Sequence, residues 1–443
     1  MSVQSTPAAE QPFWMTGTFA PVSEEIDATG MKVTGEIPAE LNGRYFRNGA
    51  NPRVTASPDW FLGEGMIHGV RIENGKAVWY KNRYVQTPLL DIDVITREHT
   101  SIPGNSLANT HIVSHGGKVL ALQEMHPPIE MTDELDTVGV YRFDDKLAGN
   151  MTAHPKICPK TGEMHFFGYG VRPPFLTYHC VSSDGELTKS EVIEIGAAVM
   201  MHDFLITENY VVFLDLPMLW DMENFLRSGV PVAFDDEYGA RIGLMPRSGG
   251  NSDIKWYEID PCYVYHTLNA YETGNEVVVI APRLHGYTSV GMKNPPIPKL
   301  HRWVINLENG SVRESQLDDV GVDFPRVANS LVGQQNRFGF LAEFETSGRP
   351  HILGYHKYDL QSGSKTSHHF TDGRVGAEAV FIEAQGATSE DQGYLMTFVF
   401  DPGSQTSELV IIDAQNLDQP PLARIHLPAR VPAGFHGSWI PDA

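Results

Sequence analysis

Short apolar runs recur along this chain at a fairly even spacing, with Gly, Asn, Asp or Pro near their ends. Six of them begin at residues 118, 164, 210, 276, 337 and 394, so the gaps between them are 46, 46, 66, 61 and 57 residues. Runs of this kind are typical of β-strands. Many short strands at such a period indicate a β-propeller, and seven blades of roughly 60 residues would use a chain of 443 residues.

Turn signals support this interpretation, because residues that readily adopt positive φ stand where hairpins would close. The turn pairs are Asn74-Gly75, Asp184-Gly185 and Asn309-Gly310. The apolar runs cover 118–123, 164–169, 210–214, 276–280, 337–341, 394–400 and 408–412. Helical periodicity is scarce. We therefore predict an all-β protein, a seven-bladed β-propeller that forms a single domain over residues 1–443.

Charge and cysteine content narrow the class of protein. The chain has 33 Lys and Arg against 55 Asp and Glu, a net charge of −22, so we expect no nucleic-acid partner. Its three cysteines, Cys158, Cys180 and Cys262, show no paired spacing, which favours a reducing compartment such as the cytoplasm. We expect no secretory signal, and no membrane-spanning helix because no apolar run reaches about 18 residues.

Four histidines lie in separate strand-like contexts, and their spacing excludes a local metal motif. They are His154, His202, His266 and His436, which are 48, 64 and 170 residues apart. Known zinc motifs use short spacings, so these imidazoles could meet only if the whole fold brought them together. An all-imidazole site suits zinc, copper, nickel or iron. The alternative is four unrelated histidines among the 18 of this chain.

Ordered motifs along most of the chain resemble the carotenoid cleavage oxygenase family, which includes apocarotenoid oxygenases and lignostilbene dioxygenases. The motifs are GMIHG at 65–69, ANTH at 108–111, LALQE at 120–124, TAHP at 152–155, MMHDF at 200–204, YHTLNAYE at 265–272, DFPR at 323–326, EDQGY at 390–394 and FHG at 435–437. The resemblance implies a seven-bladed propeller with a cap of loops and short helices over an axial iron site.

The resemblance also implies a site made of imidazoles and carboxylates. His154, His202, His266 and His436 would bind one Fe²⁺, and His68 and His165 would be structural. Three carboxylates, Glu124, Asp323 and Glu378, would accept the second ring N–H of a ligand and so fix its orientation. We predict the pairs Glu124 with His202, Asp323 with His266 and Glu378 with His436, which leaves His154 without a carboxylate.

Three positions bear on reactivity and substrate. Asp323 stands where the family motif reads Glu-Phe-Pro, so either the backbone moves closer or a water bridges to His266. Thr110 matches a family threonine whose methyl group crowds an open metal position. Gln123 occupies the position of a lysine that grips a phenol in stilbene-cleaving members, and the tyrosine that accompanies that lysine is not evident near Leu89-Leu90.

The implied activity is cleavage of one C=C bond of a conjugated apolar substrate by O2 to give two carbonyl products. The missing lysine favours a carotenoid or apocarotenoid, and the alternative is an aromatic alkene such as a stilbene or isoeugenol. Two other classes are a propeller that binds hydrophobic ligands without turnover and a Ca²⁺-dependent propeller hydrolase.

One segment departs from the β pattern. Residues 217–234 (PMLWDMENFLRSGVPVAF) are rich in Met, Leu, Trp, Phe and Val, and they form either a buried loop or an apolar rim at a tunnel mouth. The resemblance implies peripheral membrane contact through this segment.

Overall fold

The computed structural model describes residues 11–53, 57, 59–88, 90, 106–221, 223–224, 226, 230–286, 296–345 and 349–442. Within these ranges the chain is almost entirely β-structure. Six short 3-10 helices accompany the described strands, at Phe13–Met15, Gly17–Phe19, Trp60–Leu62, Asp236–Tyr238, Asn251–Asp253 and Asn329–Leu331. None of the helices in these ranges has the length and apolar character that spanning a bilayer requires.

The strands form seven successive antiparallel groups, which we call blades 1 to 7 and describe from the propeller axis outward. Blade 1 contains Gly437–Pro441, Gly43–Ala50, Gly65–Glu73, Lys76–Tyr84 and Asp27–Thr29. Blade 2 contains His111–His115, Lys118–Leu122, Ile129–Met131 and Thr137–Val140. Blade 3 contains Lys156–Ile157, Met164–Tyr169, Leu176–Val181 and Leu187–Ile193. Blade 4 contains Leu205–Ile206, Tyr210–Asp215, Ala240–Pro246 and Lys255–Ile259.

One long strand, Val312–Arg326, is shared by blades 5 and 6. Blade 5 contains Asn269–Thr273, Glu276–Arg283, Lys299–Asn306 and the first part of the shared strand. Blade 6 contains the last part of that strand, Phe338–Phe344, Ile352–Asp359 and Lys365–His369. Blade 7 contains Val380–Glu383, Gly393–Asp401, Thr406–Asp413, Ala423–His426 and Val33–Gly35. Val375–Gly376 bridges blades 6 and 7, and Met218–Trp220 pairs with Val232–Phe234 as a separate hairpin.

Both ends of the chain build blade 1, and this closes the ring. The C-terminal strand Gly437–Pro441 pairs with Gly43–Ala50, with Arg47 opposite Gly437 and Gly43 opposite Pro441. The sheet therefore ties the last strand of the chain to the N-terminal part of the chain by backbone hydrogen bonds. We expect this closure to leave no exposed edge strand at the axis.

The hydrophobic core is divided among the interfaces between blades. Seven buried clusters each draw on two neighbouring blades, and the pairs run around the full ring. Representative pairs are Phe46 with Ile112, Leu122 with Phe166, Tyr178 with Phe213, Val212 with Trp303, Ile280 with Leu341, Phe340 with Val399, and Phe398 with Tyr45. The seven-bladed propeller predicted from the spacing of the apolar runs is therefore confirmed.

The six apolar runs that set the predicted period occupy the same position within their respective blades. Each of the six falls on the second strand of blades 2 to 7. These strands are buried on both faces because each lies inside its blade and between two neighbouring blades, so most of their residues are apolar. The Asn74-Gly75 turn joins two strands of blade 1, with φ of 49° and 71°, as the sequence predicted.

Candidate metal centre

The four histidines of the sequence analysis occupy equivalent places in four blades. Each stands immediately before, or within three residues of, the innermost strand of its blade. His154 precedes Lys156–Ile157 of blade 3, His202 precedes Leu205–Ile206 of blade 4, His266 precedes Asn269–Thr273 of blade 5, and His436 precedes Gly437–Pro441 of blade 1. Since innermost strands surround the axis, equivalent positions in different blades come together there.

The imidazoles converge on one point. Nε2 of His202 lies 3.2 Å from Nε2 of His154 and 3.2 Å from Nε2 of His266. One ring nitrogen from each of these residues and from His436 falls within 4.8 Å of all the others. His154 and His436 are buried, and the side chains of His202 and His266 are 14% and 12% exposed. Four lone pairs directed at one small space form a set that can hold a metal ion.

Burial keeps two of these imidazoles uncharged. Burial and the three neighbouring imidazoles hold the pKa of His154 well below its ordinary value. Burial also lowers the pKa of His436 far below that value, although the Glu378 carboxylate acts in the opposite direction. Only the neutral ring offers a lone pair to a metal, so His154 and His436 can bind a cation without first losing a proton.

Three carboxylates face the second nitrogens of three of the histidines, in the predicted pairs. Oδ1 of Asp323 lies 3.0 Å from Nδ1 of His266, and Oε1 of Glu378 lies 3.1 Å from Nδ1 of His436. Oε1 of Glu124 lies 2.5 Å from Nδ1 of His202, within hydrogen-bonding distance although the two groups are not aligned for a linear hydrogen bond. Carboxylates in these places fix the ring planes and raise the basicity of the opposite nitrogens.

Glu124 is itself held by a tyrosine that the sequence analysis did not identify. The Tyr169 hydroxyl, at the end of the second strand of blade 3, donates to Oε2 of Glu124 over 2.7 Å. Burial, reinforced by the Glu124 carboxylate, raises the pKa of this phenol well above its ordinary value, so it remains a donor. For His202, burial would lower the pKa, but the Glu124 carboxylate outweighs burial and raises it.

Glu378 has a second partner that was also not predicted. A guanidinium nitrogen of Arg326 lies 2.9 Å from its Oε1 and donates to the carbonyl of Gly437 over 3.1 Å. The Gly437 N–H donates to Oε2 over 3.0 Å. Burial alone would raise the pKa of Glu378, but Arg326 and His436 outweigh it and hold this pKa far below its ordinary value. The carboxylate therefore stays charged inside the protein.

The backbone, and not a water, compensates for the short side chain of Asp323. Its contact with His266 is direct, and the same oxygen accepts the N–H of Phe324 over 2.8 Å. Phe324 adopts a φ of 50°, which is uncommon for an aromatic residue. This turn places the Phe324 ring 4.9 Å from that of His266 and 5.2 Å from that of His436. Phe324 is thus an apolar wall of the site, a role that the sequence did not predict.

A cavity of about 70 Å³ adjoins the histidines. Its lining combines three of them with the charged residues Lys156, Asp203, Arg326 and Glu378. Lys156 Nζ lies 2.8 Å from Asp203 Oδ1, and Asp203 Oδ2 also accepts hydrogen bonds from the backbone and hydroxyl of Thr267. The charges in the lining are paired, so the cavity has polar walls with little net charge.

The remaining predicted residues lie close by but use their polar groups within the protein. The Thr110 carbonyl accepts the His436 N–H over 3.0 Å, and its hydroxyl donates to Asn109 over 3.0 Å. Oε1 of Gln123 accepts the Leu107 N–H over 2.5 Å and lies 3.4 Å from the Ser106 hydroxyl. Leu90 is described and buried, whereas Leu89, where a partner tyrosine was sought, lies outside the described residues.

Two other histidines form hydrogen bonds inside their own blades. His68 is buried in the third strand of blade 1 and His165 in the second strand of blade 3, and their Nδ1 atoms lie 2.9 Å from the Tyr80 hydroxyl and 2.7 Å from the Tyr178 hydroxyl, respectively. A further buried histidine, His111, has its ring 5.3 Å from that of His436. Its Nδ1 donates to the Ala153 carbonyl over 2.7 Å, next to His154, so it braces the chain that carries this candidate ligand.

Part of segment 217–234 forms the separate hairpin described above, and residues 222, 225 and 227–229 of this segment lie outside the described residues. Met218 and Val232 are buried in the interface between blades 4 and 5. Leu226, by contrast, is 81% exposed. The segment therefore combines a buried base with an exposed apolar side chain, and its place at a tunnel mouth stays a prediction.

Comparisons with known proteins agree over the whole chain. The family model described as retinal pigment epithelial membrane protein matches residues 19–441. A carotenoid cleavage oxygenase of Mycobacterium tuberculosis is 37% identical, covering 98% of each chain. Carotenoid 9,10(9',10')-cleavage dioxygenase 1 of Arabidopsis thaliana is 33% identical, covering 97% of this chain and 90% of the relative. The crystal structure of Pseudomonas brassicacearum lignostilbene dioxygenase is similar with a TM-score of 0.90 and 28% identity, covering 99% of this chain and 100% of that one.

Proposed function

Since this chain belongs to the carotenoid cleavage oxygenase family, we propose that it uses O2 to cleave one C=C bond of a conjugated apolar substrate. The two carbon atoms of the broken bond each gain one oxygen atom, so the alkene and O2 together account for both carbonyl products. The observation that carries the proposal is the ring of four imidazoles, three of them braced by carboxylates, at the axis of the propeller.

We propose Fe²⁺ as the resident metal, held by His154, His202, His266 and His436. The donor set supports this choice, because neutral imidazoles suit iron among other transition metals and the family consists of non-haem iron oxygenases. Four protein ligands would leave coordination positions for small molecules. When bound, ferrous iron would activate O2 by partial electron transfer for attack on an electron-rich alkene. The charged Glu124, Asp323 and Glu378 would offset part of the cation's charge in this buried site.

The protein's own residues would orient the metal ligands, keep bulk water out of the site and offset part of the metal's charge. Each bracing carboxylate fixes a ring plane through the Nδ1 atom and so fixes the direction of the Nε2 lone pair. Phe324 covers one side of the cluster with an apolar ring, which keeps bulk water away from the reacting bond. Thr110, tied to His436 through its backbone, is proposed to crowd one open position with its methyl group. None of these steps requires a protein acid or base.

We propose a carotenoid or apocarotenoid as the substrate. Both relatives reported above, at 37% and 33% identity, carry carotenoid cleavage in their names. Gln123 lacks the charge that would bind a phenolate, and its carbonyl oxygen is already used by the backbone of Leu107. A long apolar polyene requires no such polar contact.

The alternative substrate class is an aromatic alkene, a stilbene or a propenylphenol such as isoeugenol. One observation supports it, namely the similarity to a lignostilbene dioxygenase over essentially the whole of both chains. The two classes differ in the product expected, which is an apocarotenoid aldehyde or ketone in the first case and an aromatic aldehyde in the second.

We further propose that the protein acts in the cytoplasm and takes its substrate at a membrane surface, without nucleic acid. The net charge of −22 is unfavourable for nucleic acid. The exposed Leu226 on the hairpin segment supports a shallow contact with a bilayer that dissolves polyenes.

Product analysis with isotopically labelled O2 tests the proposed function. Iron-loaded protein is incubated under ¹⁸O2 with apocarotenoids, stilbenes and propenylphenols, and the products are identified by mass spectrometry. We expect paired carbonyl products from an apocarotenoid, with label in both of them. Products without iron, or no C=C cleavage of any substrate by protein that contains iron, would overturn the proposal. Aromatic aldehydes alone would select the alternative substrate class.

A further inference from the structure

A second group of metal-binding side chains lies in blade 6, away from the axial histidines. Its members are Glu343 on Phe338–Phe344, His356 on Ile352–Asp359 and His369 on Lys365–His369. In the sheet register, Glu343 and His369 stand on either side of Gly354. His356 is two residues further along the middle strand, so its side chain leaves the same face of the sheet. Gly354 has no side chain, so no side chain of the middle strand stands between Glu343 and His369.

The ligand atoms of the three residues are within reach of one cation. Oε2 of Glu343 lies 2.9 Å from Nε2 of His356 and 2.8 Å from Nε2 of His369. All three atoms fall within 4.8 Å of one another. The two imidazole rings are 5.7 Å apart and nearly perpendicular, at 80°, so their Nε2 atoms approach the carboxylate from different directions. Without a cation, Nε2 of His369 donates a hydrogen bond to Oε2 of Glu343, and a bound cation would replace that proton.

The buried imidazole of His356 supplies an independent observation. Its side chain is only 4% exposed, and its Nδ1 is hydrogen-bonded to the Ser367 hydroxyl over 2.6 Å. Its Nε2 has no hydrogen-bond partner in the described ranges, because the contact with Glu343 is not aligned for one. A buried nitrogen whose nearest polar contact is not aligned as a hydrogen bond gains from a ligand that both groups can bind.

An ion pair between protonated His356 and Glu343 is the simplest competing explanation, and the surroundings disfavour it. Burial lowers the pKa of His356, although the Glu343 carboxylate opposes that effect. The nearby Lys365 acts in the same direction as burial, and it is itself paired with Asp318. A neutral ring whose Nδ1–H donates to the Ser367 hydroxyl presents its Nε2 lone pair to the cluster, as metal-binding histidines do.

We propose that Glu343, His356 and His369 form a second binding site, for a divalent transition-metal cation such as Zn²⁺. Two imidazoles and one carboxylate are a set that zinc and its neighbours accept in proteins. The His369 side chain is 55% exposed, so a cation can enter from solvent and complete its coordination with water. The bound ion would tie the outermost strand of blade 6 to the strand two places inward. This role is structural and independent of the axial centre.

Metal analysis of the full chain tests this proposal. Protein loaded with iron is dialysed against Zn²⁺ without oxygen, and iron and zinc are measured in the same sample, so that zinc which displaces iron is recognised. We expect wild type to retain its iron and gain one zinc per chain, and His369→Gln and Glu343→Gln to keep the iron but lose that zinc. His285→Gln is the matched control, because His285 is exposed and its Nε2 lies 3.7 Å from Asp236; it should bind zinc like wild type.

Thermal unfolding of the same proteins gives a second readout. A cation that binds only the folded state raises the melting temperature of wild type and of His285→Gln, and it leaves that of His369→Gln unchanged. Equal zinc content in wild type and His369→Gln would overturn the proposal. So would a wild type that gains no zinc while its iron remains bound.

Discussion

At the scale of single residues, the axial site depends on how carboxylates are held and not only on where they stand. Asp323 reaches His266 directly because the chain turns sharply at Phe324, and its oxygen also accepts the next N–H. Glu378 is fixed by Arg326, and Glu124 by Tyr169. Each carboxylate therefore carries at least one bond that positions it before any cation binds.

Asp323→Asn is expected to weaken iron binding about 10- to 100-fold, the usual cost of losing a partner behind a ligand. The amide keeps the size of the side chain but removes the negative charge that raises the basicity of His266. Iron retained against increasing chelator measures this. Asp260→Asn, at an exposed aspartate, is the control and should behave like wild type. Equal iron retention in Asp323→Asn and wild type would contradict the bracing role.

Some residues of the axial site could be predicted from the sequence, and others could not. The four histidines, Glu124 and Asp323 lie in short ordered motifs, and the family resemblance supplied Glu378 and the pairing. Arg326 and Phe324 lie inside the DFPR motif, but the motif shows neither the contact of Arg326 with Glu378 nor the unusual φ of Phe324. Tyr169 acts through a contact between blades, which leaves no local pattern. The internal use of Gln123 by the Leu107 backbone was hidden for the same reason.

At the scale of elements, strands differed in how strongly the sequence marked them. Second strands, buried on both faces, gave the apolar runs that set the period. Innermost strands are as short as two residues, as in Lys156–Ile157 and Leu205–Ile206, and no pattern of alternation can appear over that length. The strands that carry the site were thus the hardest to predict, and the histidines themselves were the better markers of the axis.

Buried histidines inside the blades should make the stability of the protein sensitive to acid. Burial, with Arg47 and Arg430, lowers the pKa of His68 to about 3. The unfolded chain takes up this proton near pH 6.5, so the unfolded state binds more protons between these values and stability falls as the pH drops from about 6.5. His68→Gln should remove ~0.8 kcal/mol of the loss between pH 7.5 and 6. Urea unfolding at the two pH values measures this, and equal losses in both proteins would contradict it.

Residues 217–234 are expected to contribute to membrane binding. Leu226→Asp should weaken binding to lipid vesicles about tenfold, because an exposed leucine that enters the bilayer surface loses its favourable transfer energy (~1.4 kcal/mol or more). Vesicle flotation measures the bound fraction. Val138→Asp is the control, since Val138 is 61% exposed on an outer strand of blade 2. Equal vesicle binding by Leu226→Asp and Val138→Asp would show that residues 217–234 do not contact the membrane.

At the scale of the whole molecule, the ring is a closed series of interfaces. Seven buried clusters join neighbouring blades, and the pairing of Gly437–Pro441 with Gly43–Ala50 joins the two ends. The blade count could be predicted because the period is roughly constant. The closure could not, because strands about 400 residues apart in sequence show no shared pattern.

We propose that residues 1–443 form a single domain, and we expect one cooperative transition in calorimetry because seven buried clusters of the described residues each join two neighbouring blades. Two separable transitions, with iron released in only one of them, would contradict this.

The central claim is that imidazoles from four blades hold a single catalytic iron. Iron per chain and O2-dependent cleavage, measured on the same samples of wild type, His202→Ala and His285→Ala, test it most directly. Wild type and His285→Ala are predicted to hold one iron per chain and to cleave substrate, and His202→Ala is predicted to lose both. A His202→Ala protein that keeps a full complement of iron and its activity would contradict the claim.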